Sequence, residues 1–208
     1  MEYRHIIFDL DGTLIDTKEP ILKTWQFTLR QYHYEYTMKD LEIVLGITTR
    51  KALEKLNIAA DEEFEQHWME NYKRFSEQAV FFEGVKEMLQ ALKQKGRFLG
   101  IVTSRCKKEY EDYFSNFNLK EIFDLIVCAD DTQRHKPNPD PLYKYVKLAK
   151  TELSSCIYIG DMPTDIECAN SAGIASGLIT WNQSGISCRE ADFVFRSPED
   201  LLGFLLEK

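Results

Sequence analysis

Six short apolar runs punctuate the chain: 6–8, 98–102, 125–128, 156–159, 177–179 and 193–195. Each is continuous rather than alternating, the pattern of a strand buried on both faces of a parallel sheet. Between them the spacing becomes helical. Val85, Met88, Leu89 and Leu92 recur at i, i+3, i+4 and i+7, with Gly96 placed to end the helix. Leu142, Tyr143, Val146 and Ala149 share one face of a helix predicted over 139–150, and 163–172 reads as another, stopped by Gly173. Ser197 and Asp200 have the form of a capping box, with Pro198 at the first helical position. This alternation from residue 81 onward predicts an α/β fold, a Rossmann-like doubly wound parallel sheet.

The segment 17–82 is different. It carries no convincing strand, has a helical period, and is rich in aromatic residues such as Trp25, Tyr32, Phe64, Trp68 and Tyr72. The simplest reading of these rings is the core of a small helical bundle; a stacking platform for a base or sugar is the sharper alternative. The expected organisation is therefore a core domain made of 1–16 and 83–208, with a small α-helical cap domain inserted at 17–82.

Composition narrows the function. The 208 residues give room for one domain with a sizeable insertion, and 44% hydrophobic residues supply a core. A formal net charge of −8 argues against non-specific nucleic-acid binding or an anionic membrane surface, both of which need a basic footprint. It does not argue against an anionic small molecule, because a few local cations or a metal can reverse the field inside one pocket. Five scattered Cys, with no C-x-x-C pair, speak against a disulfide framework or structural zinc and for a reducing compartment. The chain passes almost directly into Ile6, without a signal-peptide pattern, and no 18 apolar residues run together. A cytoplasmic protein is expected.

Four polar features follow the predicted strands. Asp9-Leu10-Asp11-Gly12-Thr13 sets two carboxylates at a strand's carboxyl end, where open α/β sheets bind ligands, and Gly12 permits a sharp turn. A solvated Asp-Gly turn is the plainer reading; an EF-hand loop fails, because its sixth and twelfth positions would be Leu14 and Pro20. Thr103-Ser104 ends another strand, which Thr and Ser commonly do. Lys136-Pro137-Asn138-Pro139 presents one ammonium on a stiffened segment, or simply an exposed turn lysine. Gly160-Asp161-Met162-Pro163-Thr164-Asp165 spans a strand-to-helix junction, where acids also favour the helix N-terminus.

Together and in this order, D-L-D-G-T-L, Thr103, K-P-N-P and G-D-M-P-T-D resemble the four motifs of haloacid dehalogenase superfamily phosphohydrolases. The resemblance is to the phosphoglycolate phosphatase-like branch with a helical cap, and it extends through A-N-S-A-G-I at 169–174 to the closing A-D-F-V-F-R-S-P-E-D-L-L. It implies that Asp9 attacks phosphorus and forms an aspartyl-phosphate. It implies Mg²⁺ held by the Asp9 and Asp161 carboxylates and the Asp11 backbone carbonyl, with Asp165 as a further ligand or beside them. Lys136 would pair with the phosphoryl oxygens and the nucleophile, and Thr103 and Ser104 would contact the phosphoryl group. Asp11 would carry a proton at neutral pH, give it to the leaving group and recover one from the attacking water. An acid at that position favours phosphoryl transfer, since dehalogenases of the superfamily lack one.

In the cap, Gly46-Ile47-Thr48-Thr49-Arg50 is the candidate specificity loop, with Gly46, Thr49 and Arg50 facing substrate; Arg50 also reads as a solvated first-turn residue. Hexose phosphomutases of the branch carry a similar G-x-S-R sequence. Here the Arg stands one place later, and Thr13 replaces their usual Val. The expected function is a Mg²⁺-dependent phosphatase acting on a small phosphorylated metabolite, phosphoglycolate-like or another small ester, with a sugar phosphomutase or a pyrophosphatase as alternatives. A non-catalytic binding module is disfavoured because every required side chain is present. The oligomeric state stays open between a monomer and a weak dimer. His5, His33, His67 and His135 form no metal-ligand spacing, and Trp181-Asn182-Gln183 resembles a family loop bordering the pocket.

Overall fold

The computed structural model describes residues 3–47, 49–59, 62–183 and 185–207. The chain enters through β1 (His5–Phe8) and the short β2 (Ile15–Asp16), then passes through α1 (Lys18–Gln31), α2 (Thr49–Lys55) and α3 (Glu62–Tyr72). It returns through β3 (Val80–Phe81), α4 (Val85–Gln94), β4 (Phe98–Val102), α5 (Lys107–Phe114), α6 (Leu119–Ile122) and β5 (Leu125–Val127). The last third supplies α7 (Asp140–Ala149), β6 (Cys156–Gly160), α8 (Pro163–Ala172), β7 (Ala175–Ile179), β8 (Phe193–Phe195) and α9 (Pro198–Glu207).

All six expected strands join one parallel sheet in the order β5-β4-β1-β6-β7-β8. Their side chains divide between two apolar layers. Ile6, Phe8, Ile101 and Ile159 pack with Val85, Met88 and Leu89 of α4 and Leu201 of α9. Ile7, Val102 and Tyr158 pack with Leu142 and Tyr145 of α7 and Cys168 of α8. Burial on both faces is why the strands read as continuous apolar runs; each fully buried Ile or Leu contributes roughly 1.5–3 kcal/mol. The helix ends follow their residues. Gly173 closes α8 at φ 72°, and Ser197 Oγ accepts the Asp200 amide at the start of α9. The Asp200 carboxylate turns to the Arg196 amide rather than that of Ser197.

One expectation is corrected. The stretch 17–82 does contain a strand: β3 pairs antiparallel with β2, Ile15 opposite Phe81 and Asp16 opposite Val80. Two residues are too few to show a period, so this ribbon left no trace in the pattern. It ties together the two ends of the helical insertion. Within the insertion, Trp25 lies 5.6 Å from Phe64 and 5.9 Å from Trp68, and Tyr32 lies 5.0 Å from Phe64. These rings form a bundle core, and that core continues into the sheet domain through Tyr72 and Tyr113, 4.4 Å apart.

Sheet order also locates the site. The chain builds outward from β1 to β4 and β5, then reverses to place β6 on the opposite side of β1. That reversal opens a crevice at the carboxyl ends of β1 and β6, where open α/β sheets bind ligands. No helix among the described residues is long and apolar enough to cross a membrane.

Candidate active site

Asp9 is the first residue beyond β1, and its amide donates to the Ile159 carbonyl, 2.8 Å, which fixes it beside the end of β6. The chain then turns through Gly12 at φ 78°. A Cβ there would stand 2.5 Å from Asp161 Oδ2, so glycine is required both by the turn and by the approach of the neighbouring acid. Thr13 Oγ1 donates to Asp161 Oδ1 at 3.2 Å, and Asn182 Nδ2 donates to Asp161 Oδ2 at 2.9 Å. Asn182 Nδ2 also reaches the Gly12 carbonyl, and Trp181 Nε1 donates to that of Thr13, so the loop after β7 braces the turn after β1.

Lys136 enters from the long connection between β5 and α7. Its Nζ donates to Asp9 Oδ1 at 2.6 Å and Asp165 Oδ1 at 2.7 Å, and to the Tyr158 hydroxyl at 3.0 Å. Tyr158 in turn donates to the Val102 carbonyl, 2.9 Å. Carboxylate oxygens of Asp9, Asp161 and Asp165 all lie within 4.8 Å of one another. Three buried carboxylates thus face one buried ammonium. Burial pushes the Asp9 carboxyl up to about 7; Lys136 opposes the rise while Asp165 and Asp11 add to it. Asp161 is raised well above its ordinary value by burial, then by the charges of Asp165 and Asp9. Such a cluster is short of positive charge and offers only hard oxygen donors, a set that fits a divalent cation of the Mg²⁺ kind.

Asp11 is held by a different partner, Arg105. Burial works against its charge, but Arg105 outweighs burial and holds the carboxyl below its usual range. The pair is bidentate: Arg105 Nε donates to Oδ2 and Nη2 to Oδ1, both at 3.0 Å. A forked cation on both oxygens favours the charged carboxylate in this arrangement. Asp11 also stands apart from the three-carboxylate cluster. Arg105 Nη1 donates to Glu109 Oε1 at 3.2 Å, and its Cζ lies 5.0 Å from the Tyr72 ring and 5.6 Å from the Trp68 ring.

The remaining predicted residues are distributed around one cavity of about 1160 Å³. Thr103 and Ser104 line its floor beside Asp9; the Thr103 amide donates to the Val127 carbonyl and its Oγ1 accepts from the Arg105 amide, 3.1 Å. Gly46, Thr49 and Arg50 also line the cavity, contributed by the insertion. A Cβ on Gly46 would lie 3.0 Å from the Met162 side chain, so this loop touches the chain just after Asp161. Thr48 of the expected loop lies outside the described residues. Of the histidines, His135 lines the cavity, and no His belongs to a metal-capable group among the described residues. Arg105 and Tyr158 stand outside the residues expected from the sequence, whereas Asn182 falls in the expected loop. Arg105 carried a usable signal, a cation two residues after Thr103; Tyr158 sits in an apolar run and carried none.

Three buried carboxylates sharing one buried lysine at the switch point of a parallel sheet are the arrangement of an α/β hydrolase site. The chain belongs to the haloacid dehalogenase-like hydrolases, whose family model matches residues 6–179. It is 31% identical to pyrophosphatase PpaX of Bacillus thuringiensis (strain Al Hakam) and to that of Bacillus cereus (strain 03BB102), over 99% of this chain and 97% of each relative. Among solved structures it resembles a phosphoglycolate phosphatase candidate from Lactobacillus plantarum, with a TM-score of 0.89, 24% identity, and 98% and 99% of the two chains covered. It also resembles CbbY of Rhodobacter sphaeroides in complex with phosphate, with a TM-score of 0.83, 18% identity and 96% of each chain covered. At those identities the solved structures speak for the fold alone.

Proposed function

We propose that this hydrolase is a Mg²⁺-dependent phosphatase that releases phosphate from a small phosphorylated metabolite by way of an aspartyl-phosphate at Asp9, with pyrophosphate and phosphoglycolate-like compounds as the first substrates to test. The observation that carries the reading is the Lys136 ammonium shared by Asp9 and Asp165 within the same cluster as Asp161. Pyrophosphate is included because the PpaX relatives are pyrophosphatases by name.

Asp9, Asp161 and Asp165, with the Asp11 backbone carbonyl, would hold the ion, which when bound neutralises the phosphoryl oxygens against an anionic nucleophile. Lys136 fixes the Asp9 carboxylate through Oδ1 and adds a positive charge beside the incoming phosphoryl group. Thr103 offers its hydroxyl to a phosphoryl oxygen. Asp9 attacks phosphorus as the bond to the leaving oxygen breaks. Water then attacks the aspartyl-phosphate, releasing inorganic phosphate and restoring Asp9. Asp11 in its acid form would give its proton to the leaving oxygen. The carboxylate so formed would take a proton from the attacking water, which restores the acid form; the Arg105 pair favours the carboxylate between the two steps.

Residues 17–82 would act as the cap that closes over the crevice and excludes water, with Gly46, Thr49 and Arg50 contacting the departing half. The displaced Arg50 and Thr13 support hydrolysis over mutase chemistry. Five free cysteines support a reducing, cytoplasmic setting. The test is a panel of phosphorylated metabolites scored for phosphate release with Mg²⁺ and with chelator. Release that needs Mg²⁺ and disappears in Asp9→Asn is expected; full activity in Asp9→Asn would overturn the nucleophile. An isomerised sugar phosphate without phosphate release would favour the mutase.

A further inference from the structure

The leaving group must depart beside Asp11, so whatever lies against Asp11 meets it. That neighbour is Arg105. It is 8% exposed, and three of its five N–H groups are directed at carboxylates, leaving two outside those pairs. Its guanidinium is set among the rings of Trp68 and Tyr72 from the insertion and Phe114 from the core. A cation so placed is oriented and shielded from water, which strengthens its hold on an anion. Trp68 lines the same cavity, and its buried Nε1–H has no hydrogen-bond acceptor among the described residues. The other cations around the cavity are placed differently. Lys136 is engaged at Asp9 and Asp165, Lys18 is held by Glu42 at 2.7 Å, and Arg50 and Lys51 are exposed on α2.

Resting on the phosphatase reading and on the place of Asp11 in it, we infer that Arg105 is the receptor for a negative charge carried by the leaving group. The preferred substrates are those whose departing half is itself an anion, a phosphate or a carboxylate. The anion docks first on the two N–H groups outside those pairs, and its charge then draws the guanidinium away from Asp11 and Glu109. As Arg105 turns to the substrate, the Asp11 oxygens are released to face the departing oxygen. Substrates with a neutral departing half cannot make this exchange and leave Asp11 tied. Trp68 Nε1–H would give the docked anion a further donor, and the cap rings would sense its arrival. Arg105 is thus a specificity residue, acting on the leaving side of phosphorus while Lys136 acts on the attacking side.

The test compares kcat/KM for pyrophosphate and phosphoglycolate with that for ethyl phosphate and glycerol 1-phosphate at fixed free Mg²⁺. Wild type should favour the anionic leaving groups at least tenfold, and Arg105→Met should reduce that ratio at least tenfold, mostly through KM. Arg105→Lys keeps the charge without the fork and safeguards against a Met variant that does not fold; it should reduce the ratio about threefold or more. Equal losses on both substrate sets, or a wild type without preference, would overturn the proposal and leave Arg105 a support for Asp11. Failure of the wild type to release phosphate from any of the four compounds would instead remove the phosphatase reading beneath it.

Discussion

Replacing Asp9 by Asn should destroy the reaction and stabilise the metal-free protein. In the absence of a cation, the Asp9 carboxyl is pushed from 3.8 up to about 7, burial being the main cause. A group whose acid form is favoured on folding lowers stability as pH rises: the unfolded chain loses the proton near pH 4 and the folded chain only near 7. The penalty therefore grows from about pH 4, saturates above about 7, and at pH 8 is on the order of 4 kcal/mol if the whole displacement is realised. Asn keeps the shape and an oxygen for Lys136 Nζ but cannot ionise. In EDTA at pH 8, Asp9→Asn should be the more stable protein by roughly 2–4 kcal/mol, or about 5–15 °C in Tm for a chain of this size. Urea or thermal melts followed by circular dichroism at pH 5 and pH 8 read this directly. The gap should shrink at pH 5, and Mg²⁺ should raise the Tm of wild type more than that of the variant. A less stable Asp9→Asn at pH 8 in EDTA, or a gap that ignores pH, would refute the reasoning.

Other outcomes follow from single contacts. Gly12→Ala puts a Cβ against Asp161 Oδ2 at a left-handed φ of 78°; it should cost about 1–3 kcal/mol in a denaturation curve and lower turnover by two orders of magnitude or more. Asn182→Ala removes two hydrogen bonds that hold Asp161 and the Gly12 turn, and should weaken Mg²⁺ binding, measured by calorimetry, roughly tenfold or more. Burial drives the thiols of Cys128 and Cys168 up to about 12 and that of Cys156 to about 11. In the native protein at pH 8 these three should resist iodoacetamide in peptide mass mapping; rapid alkylation of any of them would contradict their placement.

Much of this architecture is legible in the sequence because the strands are buried on two sides. Ile6-Ile7-Phe8 can only be so uniformly apolar if both layers press on it, and both do. Helices with a closing glycine, such as α8 before Gly173, announce their ends. The ribbon of β2 and β3 is silent, because its two-residue strands are stabilised by closing the neck of the insertion and not by any pattern of their own. At the site, Asp9, Lys136, Asp161 and Asp165 are recognisable by type and order. The state of Asp11 is not, because it is set by Arg105, ninety-four positions along the chain. Tyr158 is hidden for a similar reason: its ring obeys the apolar run while its hydroxyl accepts from Lys136.

The central place of β1 has a consequence for how the protein is made. Its partners are Phe98 onward on one side and Cys156 onward on the other, roughly ninety and a hundred and fifty residues later in synthesis. The strand at the centre of the sheet thus waits through most of the chain for its second neighbour. Until then three greasy side chains wait unpaired, an invitation to chaperones and to aggregation. Such distant pairings are slow to find, since loops must close before any contact rewards them. A nascent chain arrested before residue 136 would display the Asp9 carboxylate yet lack Lys136, Asp161 and Asp165, and with them the three-carboxylate cluster.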